Sequence, residues 1–209
     1  MARKLVNENA TVIDPVSNDG HATIEQGVPY TAEVEFTGTA PFLFHRWSNE
    51  AVEAKAKAAK NSRANKEDDL ESYVYRNEKG LLSIPGEYFR QAVIHAAKYR
   101  QDPRSPRKSA MDLFKAGIVC LKEHCSLGVK EWDYVDRRRV LIQRNAITRA
   151  RPAILSGWKV AGEFMVLLPE YIEPSVLHET FTQAGRLVGV GDFRPTFGRF
   201  QVNKFQVVR

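Results

Sequence analysis

The segment GLLSIPGEYFRQAVIHAAKYRQDP, residues 80–103, constrains the fold more than any other stretch of the chain. Its first residues, Leu81 to Ile84, have the composition of a short strand, and Pro85-Gly86 then bends the chain. Apolar residues follow at helical spacing until QDPRSPR ends the helix: Phe89, Val93, Ile94 and Ala97. The segment therefore predicts a strand followed at once by an amphipathic helix.

The second half of the chain repeats this order. WKVAGEFMVLLPEY reads as a strand, EPSVLHETFTQAGRLVGV as an amphipathic helix and TFGRFQVNKFQVV as a final alternating strand. Near the other end, Val34 and Phe36 alternate with Glu33 and Glu35 in a first strand. Two such units predict an α+β, ferredoxin-like fold, an antiparallel sheet backed by two helices. The opposite sheet face would be open, and RNA-recognition domains bind RNA on that face.

Length and composition bound the domain organisation. A chain of 209 residues that is 43% hydrophobic can bury one core. We expect an extended arm over residues 1–28, one domain over 29–209, a charged insertion at about 46–79 and a basic connection at about 100–156. The chain has two cysteines, no apolar run long enough for a bilayer and no signal-peptide pattern. These features predict a soluble, cytoplasmic protein without membrane contact.

Basic charge is concentrated in one part of the chain. Residues 98–151 contain 14 Lys and Arg against 6 acidic residues, a net +8 in a chain whose total is +6. Such a concentration indicates an anionic partner, although a run of arginines is often only a solvated face. The candidate phosphate contacts in this segment are Arg137, Arg138, Arg139, Arg144, Arg149 and Arg151.

The stretch GVGDFRPTFGRF joins the second predicted helix to the last strand. Its glycines allow sharp turns, and its N–H groups can cradle a phosphate: Gly189, Gly191 and Gly198. Its other candidate side chains supply charge and stacking faces: Arg194, Arg199, Phe193 and Phe197. The alternative is a tight turn that packs the two phenylalanines into the core. A dinucleotide-binding fingerprint does not fit, because the third glycine is missing and the stretch follows a helix.

Two motifs resemble the RAMP superfamily, the repeat-associated proteins of CRISPR systems. G-x-G followed by G-R-F is similar to that family's glycine-rich loop, and IPGEYFRQAVI, residues 84–94, is similar to its first strand–turn–helix junction. The resemblance extends over about residues 30–209 in element order. Within the family, the chain looks most like the backbone subunit that coats guide RNA. That likeness implies single-stranded RNA, copies of itself and related Cas subunits as partners, and a thumb-like insertion that reaches over a neighbour in a filament.

The resemblance also implies roles for single residues. Gly189, Gly191 and Gly198 would shape the loop, with Arg194 and Arg199 beside it. Four further residues would lie near the RNA path: His45, Arg46, Arg90 and Gln91. A stand-alone or phage-borne relative, which mimics or interferes with an effector complex, stays open as an alternative.

Catalytic and metal signals are weak. His45 could act as a general base on a ribose hydroxyl, but no second acid or base is identifiable from spacing. Cys120, His124 and Cys125 leave a tetrahedral zinc short of a ligand, and no other pattern calls for a cofactor. The sequence thus favours a non-catalytic RNA-binding subunit. The alternatives are a metal-independent RNA endonuclease of the same superfamily and a phage-borne protein-interaction module.

Overall fold

The structure is a computed structural model that describes residues 11–12, 27–47, 49, 53, 57, 69–142 and 145–208. Most of the predicted N-terminal arm and the centre of the predicted insertion lie outside these residues, as does Arg144. No helix in the described part of the chain is long and apolar enough to span a membrane.

Within the described residues, α-helices separate groups of strands along the chain. The strands are β1 (Thr11–Val12), β2 (Tyr30–Gly38), β3 (Phe42–Leu43), β4 (Tyr75–Arg76), β5 (Leu82–Pro85), β6 (Gln101–Asp102), β7 (Ser105–Ser109), β8 (Ile118–Cys120), β9 (His124–Ser126), β10 (Tyr134–Ile142), β11 (Asn145–Ile154), β12 (Lys159–Val166) and β13 (Phe200–Val208). The α-helices are α1 (Gly86–Ala96), α2 (Met111–Gly117) and α3 (Pro174–Leu187).

The main sheet contains five strands in the order β1-β13-β2-β12-β8, and each neighbouring pair is antiparallel. In the central strand β2, buried residues alternate with exposed or half-buried ones, which confirms the predicted period of two. The α+β class predicted from the sequence is also confirmed, because antiparallel sheets and helices share one chain.

Both long helices pack on one face of this sheet. The ring of Phe36 on β2 stacks on Phe89 of α1, with centroids 4.3 Å apart, and lies 5.3 Å from Phe181 of α3. Phe200 on β13 completes this aromatic group, 5.2 Å from Phe36. Apolar side chains at helical spacing on α1 and α3 thus meet the buried side of β2 and β13, which fixes the face that each helix turns toward the sheet.

The strand that leads into α1 does not belong to the main sheet. β5 pairs with β4 and β9 in a separate three-stranded sheet, and all four of its residues are buried. The sequence predicted the succession of strand and helix, and that prediction is confirmed. The strand of the main sheet that comes before α1 is β2, so the first unit of the chain is interrupted by β3 to β5.

The open face of the main sheet carries mixed charge. Glu33 and Glu163 lie directly opposite each other on β2 and β12, and the Lys204 Nζ on β13 is 3.7 Å from the Glu35 carboxylate. The side chains that share this face on the three central strands include no aromatic residue. The central strands of this face therefore lack the stacking platform of RNA-recognition domains.

The last part of the predicted basic connection, residues 134–154, forms a long hairpin, whereas its first part contains β6 to β9 and α2. β10 and β11 pair antiparallel from Tyr134 opposite Ala153 to Ile142 opposite Asn145, and the end of β11 also pairs with β3. Because side chains alternate along a strand, this register puts arginines on both faces. Arg138, Arg149 and Arg151 share one face, whereas Arg137 and Arg139 lie on the other.

Candidate nucleic-acid interface

The glycine-rich loop, residues 189–198, joins α3 to β13 in a tightly folded turn. Gly191 has φ +79°, and a Cβ there would lie 2.6 Å from the ring of Phe42. Gly198 has φ +69°, and a Cβ there would overlap the carbonyl oxygen of Val190. Glycine is therefore required at these positions both by conformation and by the close approach of neighbouring atoms.

Backbone donors of the loop are used within the fold. The N–H of Val190 donates to Gly198 O at 2.9 Å, and the N–H of Gly198 donates to Pro41 O at 2.8 Å. The N–H of Asp192 donates to Leu43 O at 3.2 Å. The first bond closes the loop on itself, and the other two fasten it to Pro41 and Leu43, on either side of Phe42. These three N–H groups are therefore already paired within the fold.

The phenylalanines of the loop are covered by arginines from the hairpin. The Arg138 guanidinium lies 4.3 Å from the ring centroid of Phe197, which is only 7% exposed. The Arg151 guanidinium lies 4.9 Å from the ring centroid of Phe193. Asp136 holds Arg138 through two hydrogen bonds, from Nε at 2.6 Å and from Nη2 at 3.0 Å. The inner face of the hairpin, which carries Arg138 and Arg151, thus packs over both phenylalanine rings.

Asp192 is the electrostatic centre of the loop. Its Oδ2 lies 2.9 Å from His45 Nδ1 and 2.5 Å from the Nε of Arg151, and its Oδ1 accepts a 2.9 Å hydrogen bond from the Phe193 N–H. Burial favours the neutral acid, but these hydrogen bonds and the charge of Arg151 outweigh it and lower the pKa of Asp192 to about 2. Arg151 is only 6% exposed, so an ionised Asp192 supplies the charge partner that its burial requires.

Two open cavities meet at Asp192 and form what we call the groove. The first cavity, of about 250 Å³, is lined by His45, Trp47, Tyr88, Gly191 and Asp192. The second, of about 580 Å³, shares Gly191 and Asp192 and reaches His95, Lys98 and Tyr99 on one side and Arg194 on the other. Trp47 is 72% exposed and Tyr99 is 68% exposed, so each cavity has a large aromatic ring open to solvent.

Helix α1 forms one wall of the groove. Tyr88 lines the first cavity and His95 the second. Gln91 lies three residues after Tyr88 and four before His95, so it shares their helix face. Arg90 points elsewhere, because its Nε donates to Ile118 O at 2.6 Å and its Nη2 to Lys115 O at 2.7 Å. Neither of the two α1 residues that the sequence suggested lines either cavity: Gln91 Nε2 donates to Glu87 Oε1 at 2.7 Å, and Arg90 is used in packing.

The remaining candidate cations are exposed, in different settings. Arg46 is exposed beside the first cavity, with its guanidinium 5.6 Å from the Tyr75 ring centroid. Arg194 is exposed and lines the second cavity, and Arg199 is exposed at the start of β13. Arg137 and Arg139 are exposed on the outer face of the hairpin.

Several groove residues escaped the sequence analysis. Asp192 lies in the glycine-rich stretch but is not among its candidate residues, and Trp47 is not a candidate either, although it directly follows His45 and Arg46. Lys98 is counted only among the basic residues of the segment 98–151, and Tyr99 lies just before the sequence that ends the predicted helix. The sequence feature that these residues share is that aromatic and basic side chains occur together at the ends of helices and strands. They form a site only because the fold brings those ends together.

The cysteine and histidine cluster shows no metal-binding geometry. Cys125 is buried, and this burial raises the pKa of its thiol to about 12. Among the described residues, no three His, Cys, Asp or Glu side chains are grouped so that they could hold a metal ion.

Comparisons with known proteins give a likeness of fold. No protein-family model and no curated protein matches the sequence. A chain of the cryo-EM structure of the Type III-B Cmr-beta bound to cognate target RNA matches with a TM-score of 0.53 and 9% identity, over 87% of this chain and 61% of that one. The protein thus spans about three-fifths of that neighbour's length. The crystal structure of Cmr6 from Pyrococcus furiosus matches with a TM-score of 0.44 and 10% identity, over 83% and 98% of the two chains.

Proposed function

We propose that the protein is a RAMP-type, RNA-binding subunit that assembles along single-stranded, guide-type RNA with copies of itself or with related Cas subunits. The strand order β13-β2-β12-β8, with α1 and α3 on one face, supports a ferredoxin-like fold. The likeness in fold to a chain of an RNA-bound Cmr structure supports the RAMP assignment and a role in CRISPR antiviral defence.

The groove is the observation that carries this proposal. It combines exposed aromatic rings, Trp47 and Tyr99, with the cationic side chains of Lys98 and Arg194 in its lining. Arg46, which is exposed, lies between two residues of the first cavity in the chain. Proteins that hold single strands combine these two features, because stacking faces accept any base and cations follow the phosphates. The open face of the main sheet carries mixed charge and no aromatic ring on its three central strands, so the proposed binding surface lies on the helical side.

In this proposal, some arginines of the hairpin stabilise the fold and others contact the RNA. Arg138 and Arg151 face the loop and are engaged with its aromatic rings and with Asp136 and Asp192. Arg137 and Arg139 face outward and are the ones that we assign to phosphate contacts. Sequence-independent backbone contacts of this kind make affinity strongly dependent on salt.

Replacement of the outward cations tests the proposal. Arg194→Ala/Arg199→Ala and Arg137→Ala/Arg139→Ala should each weaken binding of single-stranded RNA about tenfold or more at low salt, because each variant removes two phosphate partners. Each should also flatten the slope of log affinity against log salt. Fluorescence anisotropy over a range of salt concentrations measures both quantities.

The matched control removes two cations from the open face of the sheet, Lys159→Ala/Lys204→Ala, and should bind as the wild type does. Folded loop and hairpin variants that keep the wild-type affinity and salt slope would contradict the assignment. A control variant that loses as much affinity would show that only total charge matters.

A second candidate function is metal-independent RNA cleavage. The observation in its favour is that Asp192 orients the imidazole of His45 through Nδ1 at the wall of the first cavity, which leaves Nε2 as the atom able to take a proton. RNA cleavage in the presence of EDTA that is lost in His45→Ala would establish this function. RNA that stays intact with the wild-type protein would reject it.

A further inference from the structure

We infer that the groove holds two unpaired nucleobases, one against Trp47 and one against Tyr99, on opposite sides of Asp192. This inference deepens the proposed function and rests on it, because it specifies how the bound strand is held. It assigns a role to two side chains that the glycine-rich loop and the basic hairpin leave unexplained.

Trp47 and Tyr99 have rings that the fold itself does not cover. The indole Nε1–H of Trp47 donates to Asn49 Oδ1 at 2.7 Å, so its polar atom has a partner while 72% of the side chain stays exposed. Tyr99 lies in the 3-10 turn after α1, and the following N–H, of Arg100, donates to Ala97 O at 3.1 Å. Each ring is thus carried by a hydrogen-bonded segment and open on the groove side, which is what a stacking position requires.

The phenylalanines of the loop cannot serve this purpose in the same way. Arg138 covers Phe197, and Arg138 and Arg151 both lie over Phe193. A base would have to displace guanidinium groups that are themselves paired with Asp136 and Asp192. Trp47 and Tyr99 therefore have the rings along the groove that remain available to stack on a base.

Charge determines how a strand would lie between these rings. Asp192 lies where the two cavities meet, and with a pKa of about 2 it is ionised at neutral pH. A carboxylate at this point repels a phosphate, whereas Lys98 and Arg194 in the second cavity and Arg46 beside the first attract one. The strand is expected to turn its bases into the groove and its phosphates toward the basic rim.

The test compares a short oligouridine strand with an abasic ribose-phosphate strand of the same length. Trp47→Ala and Tyr99→Ala should each weaken oligouridine binding about tenfold, because one stacked base is lost in each. Their affinity for the abasic strand should equal that of the wild type. Trp47→Phe keeps a ring and should retain most of the affinity, and Tyr171→Ala removes an exposed ring outside both cavities and should change nothing.

The outcomes separate this inference from the proposed function. If the wild type binds both strands equally well, or if both alanine variants bind oligouridine as the wild type does, the strand is held without stacking and the inference is wrong while RNA binding stands. If the wild type binds neither strand, both proposals fail. Circular dichroism of each variant checks that it is folded. We expect both variants to fold, because both side chains are exposed.

Discussion

At the scale of single residues, Asp192 joins three parts of the chain that are far apart in sequence. It pairs with Arg151 from β11, with His45 from the segment after β3, and with the N–H of Phe193 in its own loop. Because Arg151 is almost fully buried, its guanidinium depends on the carboxylate of Asp192 for charge compensation. The shape of the groove at its centre follows from the same contacts.

Replacement of Asp192 by Asn should therefore destabilise the protein. Asp192→Asn leaves the buried Arg151 guanidinium without a counter-charge, and we expect a loss of about 2–3 kcal/mol in the free energy of unfolding, below the range for fully buried pairs because Asp192 is partly exposed. Urea denaturation measures this loss. Glu170→Gln, which neutralises an exposed carboxylate, is the control and should have no effect. Equal stability of both variants would show that Arg151 does not need this partner.

Asp192 also predicts a specific dependence of stability on pH. Its pKa in the folded protein is lowered from 3.8 to about 2, so its ionised form stabilises the fold above the ordinary pKa. This contribution is lost as the pH falls through about 4 toward 2. The difference in unfolding free energy between the wild type and Asp192→Asn should shrink over that range, and a difference that stays constant from neutral pH to about pH 2 would contradict the prediction.

At the scale of elements, regular periodicity was readable from the sequence and long-range pairing was not. β2, α1 and α3 were predicted because their apolar residues recur at the period of a strand or a helix. The separate sheet of β5 was missed because strand partners depend on contacts between distant segments. The coverage of Phe197 by Arg138 was missed for the same reason, since nothing local to either residue indicates it.

The sequence predicted the glycine-rich loop between the second helix and the last strand. The conformation of its glycines leads to a prediction about stability. Gly198→Ala should destabilise the protein by more than the roughly 1–2 kcal/mol that positive φ alone costs, because the new Cβ would also overlap Val190 O. Gly157→Ala is the matched control, since Gly157 has φ +94° but no atom lies within 4 Å of the position that an alanine Cβ would take. Thermal unfolding compares the two. Similar losses would mean that the close approach at Gly198 relaxes without cost.

At the scale of the whole molecule, the basic and aromatic features of the groove lie on the helical side, whereas the open face of the main sheet carries mixed charge. This asymmetry, together with the predicted insertion at about 46–79, is consistent with the subunit proposed above, which would hold RNA on one side and meet a neighbouring copy on another. An assembly of this kind forms only where the strand is long enough to accept several subunits.

The most direct test of this account is size-exclusion chromatography with light scattering and the A260/A280 ratio, on protein purified from cells, before and after nuclease treatment. The account predicts a large species rich in nucleic acid that nuclease converts to a monomer of 23.7 kDa. A nucleic-acid-free monomer from the start, which also fails to assemble on added single-stranded RNA, would contradict it and favour a protein-interaction module.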